Sequence, residues 1–234
     1  MAKALQFSLQ LQLNKYMTEF WESNFREKQT MWGFDPADVA ASTMGLFLKN
    51  GVREILIPGF GYGRNAKIFT DNGFKVTGIE ISETAIALAQ KNYGEDLHVY
   101  HGNVGDMPFD QKLYDGIFCY ALIHLLDGGE RAKLIKDCYH QLKPNGYMVF
   151  VALSTNSPVY GEGIKVDKDR FRTKHGATLY FYDSTSVHRE YGRYGLLEAK
   201  EINEPIKSVT NKPPQKFWNI LCRKSPNSDE PMFV

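Results

Sequence analysis

Apolar positions in this chain switch between two spacings. Ile55-Leu56-Ile57, Lys75 to Glu80, Leu97 to Tyr100, Leu113 to Cys119 and Tyr147 to Leu153 are short apolar runs, the pattern of strands buried on both faces. Helical spacing fills the intervals. Asp35-Pro36 opens a helix with Asp as N-cap and Pro in the first turn, Val39, Met44, Phe47 and Leu48 supply its buried side, and Asn50-Gly51 ends it. A second helix runs to Asn72-Gly73, and a third starts at Ser82-Glu83-Thr84, turns Ile86, Ala89 and Tyr93 inward and closes near Gly94. A fourth spans about Gly129 to Leu142. Strands alternating with helices imply a mostly parallel sheet with right-handed crossovers. Residues 154–180 show no clear period and read as a long loop, functional or mobile. Tyr182 to Arg193 reads as a helix, and Gly195 to Ile202 and Lys216 to Arg223 as an antiparallel pair at one sheet edge.

The junction Arg53 to Asn65, REILIPGFGYGRN, carries the chemistry. Gly59, Gly61 and Gly63 let the backbone turn sharply and approach a ligand, and such a strand–loop–helix unit aims backbone N–H groups at an anionic group. About twenty residues on, Glu80 ends the second strand, where a carboxylate can accept both ribose hydroxyls of a nucleoside. The competing role for Glu80 is helix capping near Ser82. A dinucleotide fingerprint wants its third glycine at position 64, which is Arg64.

The spacing G-x-G-x-G resembles motif I of the class I S-adenosylmethionine-dependent methyltransferases. His101-Gly102-Asn103-Val104 with Met107-Pro108-Phe109 resembles that family's adenine loop, Leu113 to Tyr120 its fourth-strand signature, and Leu142-Lys143-Pro144-Asn145-Gly146 its turn into strand five. The aromatic segment FWESNFREKQTMWGF resembles the one preceding motif I in thiopurine-type and tellurite-resistance-type members. The resemblance implies a doubly wound, Rossmann-like α/β fold: a seven-stranded, mostly parallel sheet with an antiparallel C-terminal edge strand and helices on both faces. It implies S-adenosylmethionine as cofactor and a site of Trp32, Pro58, Gly59, Phe60, Gly61, Gly63, Asn65, Glu80, Ile81, Asn103, Val104, Tyr120 and Ala121. Pro58, Gly59 and Gly61 would flank the methionine part, and Glu80 would take the ribose. Ile81 would pack on adenine, the Asn103 carbonyl would accept from the adenine amino group, and Val104 N–H would meet a ring nitrogen. The Tyr120–Ala121 backbone would face the methionine ammonium, and Trp32 would belong to a lid. One departure is Ile57, where the family usually places an acidic residue that helps hold the ammonium; an apolar–Pro pair is frequent there in the thiopurine branch.

The bulk properties narrow this further. At 234 residues the chain suits one α/β domain: an N-terminal extension and aromatic lid segment over 1–34, a methyltransferase domain over 35–224, and a flexible tail over 225–234. A net charge of +1 provides no field for nucleic acid. Cys119, Cys138 and Cys222 lie too far apart for a disulfide framework or a zinc site, so no metal is expected and a reducing cytoplasm suits them. No run reaches the apolar length of a membrane helix. Phe7, Leu9, Leu11 and Leu13 alternate with polar residues, as in a strand or an oligomer contact; sequence upstream of a domain starting at Met17 is the other reading.

Methyl transfer from a sulfonium needs mainly proximity, orientation and a dry site, so catalytic residues are weakly encoded. His124 and Tyr120 are the candidates for a proton acceptor, and for His124 a structural role is the alternative. Phe34, His124, Arg170 and Arg172 are candidates for the acceptor side, the arginines lying in a basic stretch that equally reads as a solvated face. The leading function is a methyltransferase for a small molecule. The alternatives are a macromolecular acceptor, against which CYALIH after strand four counts, and a cofactor-binding protein without transferase activity.

Overall fold

The computed structural model describes residues 17–94, 97–206 and 214–226. A helix over residues 17–28 (α1) precedes the alternating unit α2 (Asp38–Lys49), β1 (Glu54–Pro58), α3 (Arg64–Asp71), β2 (Lys75–Glu80), α4 (Glu83–Tyr93), β3 (His98–His101), β4 (Tyr114–Tyr120), α5 (Gly128–His140) and β5 (Leu142–Leu153). Then come β6 (Ile164–Asp167), β7 (Arg170–Arg172), β8 (Thr178–Tyr180), α6 (Ser184–Tyr191), β9 (Leu196–Glu204) and β10 (Gln215–Arg223). The main sheet has seven strands in the order β3-β2-β1-β4-β5-β10-β9. β10 pairs antiparallel with both β5 and β9, so the antiparallel strand sits one place in from the edge, and β9 forms the edge itself.

Alternation along the strands divides the core. Ile55 and Ile57 of β1 join Phe118, Val149 and Val151 on one face, against Phe47 of α2 and Phe69 of α3. Leu56 joins Ile117, Cys119, Met148 and Phe150 on the other, against Leu134, Ile135, Cys138 and Tyr139 of α5 and Val187 and Tyr191 of α6. The three cysteines are buried free thiols in this packing. The chain order reverses between β2-β1 and β4, which opens a crevice beyond the C-terminal tips of β1 and β4.

Three sequence expectations change. Residues 154–180 are not a structureless loop; they include an antiparallel sheet, β6-β7-β8. Arg131 of α5 anchors it: the guanidinium is 3.8 Å from the Tyr180 ring and ion-pairs with Glu190 at 3.1 Å, and the Tyr182 hydroxyl also donates to Glu190 at 2.8 Å. Strand β5 starts at Leu142, ahead of the expected Tyr147, with Asn145 at φ +66° inside the turn. The first helix after the aromatic segment is capped not by Asp35 but by a distant carboxylate. Glu204 accepts from Asp38 N–H at 3.1 Å and Val39 N–H at 3.2 Å, across 166 and 165 residues, so no local capping rule could find it. Residues Phe7 to Leu13 and the tail from 227 lie outside the described residues. Among the described residues, no helix is long and apolar enough to cross a membrane.

Candidate active site

β1 ends in a loop whose Gly59, Gly61 and Gly63 all take positive φ, +72°, +58° and +82°. A Cβ on Gly59 would lie 3.1 Å from the Leu122 side chain, so glycine serves both conformation and close packing there. Four of the loop's donors are nevertheless satisfied within the protein. Gly59 N–H and Phe60 N–H both donate to the Ile79 carbonyl, at 2.9 and 3.0 Å, and Gly61 N–H donates to the Glu80 carboxylate at 2.7 Å. Gly63 N–H donates to Phe60 O. The N–H groups of Gly59, Phe60, Gly61 and Gly63 are thus occupied within the protein, and the donors this unit can still aim at an anion are those at the start of α3.

Glu80 organises this end. It is buried, with Ile81 and Ser82 N–H donating to its other oxygen at 2.9 and 3.0 Å. Burial raises its pKa, and the three backbone donors oppose that rise. Helix capping is done instead by Ser82, whose Oγ accepts from Ala85 N–H at 3.1 Å.

A cavity of about 350 Å³ extends from Glu80 across the crevice, within the roughly 300–1,000 Å³ usual for small-molecule sites. Met17, Trp21 and Phe25 of α1 and Trp32 close it from above. Trp32 stacks on Tyr62 with centroids 6.1 Å apart and planes 9° apart, while the Tyr62 hydroxyl donates to Gly33 O at 2.7 Å and accepts from Trp32 N–H at 3.1 Å. Arg64, first residue of α3, donates to the Trp32 and Asp35 carbonyls at 3.3 and 3.0 Å and lies 5.7 Å from the Tyr120 ring centroid. Its guanidinium puts a cation in the wall of the crevice. Ala121, just beyond β4, holds φ +55°, a strained value for a residue with a Cβ.

The far end is apolar: Leu122, Leu153, Leu179 of β8 and Phe217 of β10, with Tyr120 stacked on Phe217 at 6.4 Å. His124 also lines it, in a short turn between β4 and α5. Leu153 N–H donates to His124 Nδ1 at 3.4 Å, which leaves the ring proton on Nε2. Burial pushes the His124 pKa down to about 3, and burial with the neighbouring Glu204 charge pushes Tyr120 well up. The buried imidazole is a weak base with its Nδ1 lone pair engaged, and Tyr120 holds its proton, which speaks against either as a proton acceptor near neutral pH.

A family profile described as "Methyltransferase domain" matches residues 56–150. A Mycolicibacterium smegmatis protein named a probable S-adenosylmethionine-dependent methyltransferase is 26% identical over 123 residues, 52% of this chain and 46% of that protein. Thiocyanate methyltransferase 1 of Arabidopsis thaliana is 27% identical over 155 residues, 64% and 68% of the two chains. The chain thus spans less than half the length of the first relative. Among solved structures, 1,6-didemethyltoxoflavin-N1-methyltransferase of Burkholderia thailandensis, with its namesake ligand and S-adenosylhomocysteine bound, superposes with TM-score 0.70 at 14% identity, covering 92% of this chain and 89% of that one. Residues 56–150 thus resemble the methyltransferase domain, and the chain as a whole shares its fold with solved S-adenosylmethionine-dependent methyltransferases.

Of the residues that resemblance to these methyltransferases singles out, Trp32, Gly59, Phe60, Gly61, Asn65, Glu80, Ile81, Asn103, Val104, Tyr120, Ala121 and His124 line one cavity. Pro58 and Gly63 stand behind it, Pro58 buried at the end of β1 and Gly63 as the N-cap of α3. Two side chains are already engaged: Asn103 Oδ1 accepts from Gly105 N–H at 2.7 Å, and Asn65 Oδ1 from Ala37 N–H at 2.9 Å. Asn103 Oδ1 thus keeps one lone pair, beside the NH2 group, for other partners. Phe34, Arg170 and Arg172 do not line the cavity. Phe34 is 57% exposed, and Leu179 of β8 with Ala177 just before it, rather than β7, faces the site. Arg64, Glu22, Leu179 and Phe217 were not singled out by sequence. Arg64 was adjacent to the glycines and carried a signal; the others come from separate elements and carried none.

Proposed function

We propose that this chain binds S-adenosylmethionine in the cavity and passes its methyl group to a small, largely apolar acceptor. The observation that carries the reading is one continuous cavity running from the buried Glu80 carboxylate to the Tyr120–Phe217 wall under an aromatic roof. The residues present fit the cofactor: a buried carboxylate for a diol, a glycine loop that allows close approach, the cation of Arg64, and apolar Ile81 and Val104 for a base. When bound, the cofactor supplies an electrophilic methyl group on a sulfonium.

Glu80 accepts the ribose hydroxyls, and Ile81 and Val104 flank the adenine. Arg64 neutralises the methionine carboxylate, while the strained backbone at Tyr120–Ala121 faces the ammonium in place of the acidic side chain that Ile57 does not provide. The roof excludes water, and Tyr120, Leu179 and Phe217 hold the acceptor in line. His124, neutral and protonated at Nε2, donates a hydrogen bond to the acceptor rather than taking a proton from it. The acceptor is then a nucleophile that needs no protein base, such as a thiolate, another soft anion or a heteroaromatic nitrogen.

Calorimetric titration with S-adenosylmethionine and S-adenosylhomocysteine, with NAD as control, tests the first half. Micromolar binding of both and none of NAD supports it; no binding of either overturns it. Methyl transfer to a panel of thiols, inorganic anions and heteroaromatic amines tests the second. A rate that tracks the acceptor's own ionisation, with no inflection from an enzyme base, is the expected result.

A further inference from the structure

Helix α1 roofs the cavity with Met17, Trp21 and Phe25, spaced one turn apart. Beside that stripe Glu22 turns toward the opposite wall. One oxygen accepts from the Ser82 hydroxyl at 2.7 Å and from Thr84 N–H at 3.1 Å; the other accepts from the Thr84 hydroxyl. Ser82 is also the residue whose N–H donates to Glu80 and whose Oγ caps α4. Two carboxylates from elements some sixty residues apart thus grip one turn, and the first-turn position of that turn on α4 favours both negative charges. The Trp32 side of the roof has its own fastenings through Tyr62 and Arg64, so without Glu22 the α1 side keeps aromatic contacts but loses this polar grip.

We infer that Glu22 is a positioning residue: it fastens the aromatic roof to the turn that aims Glu80, so that closing the roof and ordering the ribose carboxylate are one event. This rests on the reading of the cavity as an S-adenosylmethionine site. It makes the roof helix part of the binding machinery and assigns Glu22 a role beyond stabilising α1.

The test uses the full chain with Glu22→Ala, Glu22→Gln, Thr84→Ala and the double variant Glu22→Ala/Thr84→Ala. Glu27→Ala, exposed on the same helix, is the control. Hydrogen exchange over residues 17–28 is followed without ligand, and S-adenosylhomocysteine dissociation is followed by stopped-flow tryptophan fluorescence. For Glu22→Ala, exchange in 17–28 accelerates about tenfold or more relative to the rest of the domain, and S-adenosylhomocysteine dissociates about tenfold faster, as expected for losing hydrogen bonds to a charged group. Glu22→Gln falls between, Thr84→Ala shifts both readouts the same way by less, and the double variant is no worse than Glu22→Ala alone. Unchanged exchange in 17–28 with unchanged dissociation overturns the inference. A lower Tm with uniformly faster exchange and unchanged dissociation also overturns it, since that is a purely structural contribution. If the wild-type chain binds no S-adenosylhomocysteine, the proposed function fails and the cofactor coupling with it, while the exchange data still decide whether Glu22 holds the roof.

Discussion

The two ends of the cavity are built differently. The Glu80 end comes from consecutive pieces of chain: β1, its glycine loop, β2 and the turn into α4, residues 54 to 85, with backbone hydrogen bonds at nearly every step. The Phe217 end is assembled from β4, β5, β8 and β10, whose contributing residues span 120 to 217, and it is held mainly by side-chain packing. A site made of local backbone geometry leaves a motif in the sequence. A site made of side chains meeting across a sheet leaves only apolar residues at unremarkable positions.

Substitutions can break this contrast or sharpen it. The largest effect is expected at Glu80: Glu80→Ala removes the ribose acceptor and also strands the N–H groups of Gly61, Ile81 and Ser82, and should weaken cofactor binding by about 3 kcal/mol, roughly a hundredfold, by calorimetry. Unchanged affinity would mean the ribose lies elsewhere. Next is Gly78→Ala. Its Cβ would sit 2.4 Å from the Phe60 ring, so Phe60 must move, and thermal denaturation should report a loss of about 1–3 kcal/mol together with weaker cofactor binding. At the other end, Leu179→Ala should raise the acceptor KM about tenfold while leaving cofactor affinity in place. If both constants moved together, the two ends would not be separable.

A last effect, of similar size but on stability, concerns the roof, which belongs to both ends. Burial alone would raise the Glu22 pKa, but the Thr84 and Ser82 hydrogen bonds outweigh it and hold it at about 2, below its ordinary 4.5. A depressed carboxylate contributes stability that is present above the unfolded-state pKa and lost as pH falls through the folded one. Between pH about 5 and 2 the chain should therefore lose about 1–2 kcal/mol that Glu22→Ala does not lose, a figure discounted for a side chain 23% exposed. Parallel acid-unfolding curves for the two chains would remove Glu22 from the account.

The same division explains what the sequence made legible. β2 occurs where the apolar run Lys75–Glu80 predicts it, and Ser82 caps α4 as its type and position require, because these depend on a few adjacent residues. The order of the landmarks was sufficient to point to the methyltransferase domain whose profile matches residues 56–150. The sheet over 164–180 was not legible, because its strands are three or four residues long with β6 wholly exposed, too short and too polar to show a period. Nor was the loss of the glycine loop's donors to Ile79 and Glu80, which depends on how closely β2 lies beside β1. Arg170 and Arg172 drew notice by charge, yet β7 turns them away from the crevice and leaves the acceptor end without them.

By itself, then, the sequence determined the α/β alternation, the glycine turn and the acidic tip of β2, since each is set by residues close together in the chain and by the conformations those residues permit. Tertiary structure decided the rest: that Glu204 caps α2, that Glu22 bonds Ser82 and Thr84, that Arg64 bonds the Trp32 carbonyl, and that the buried His124 ring accepts from Leu153 N–H. Those roles depend on burial and on partners tens of residues away, and a side chain's chemistry is set by what surrounds it once the chain has folded.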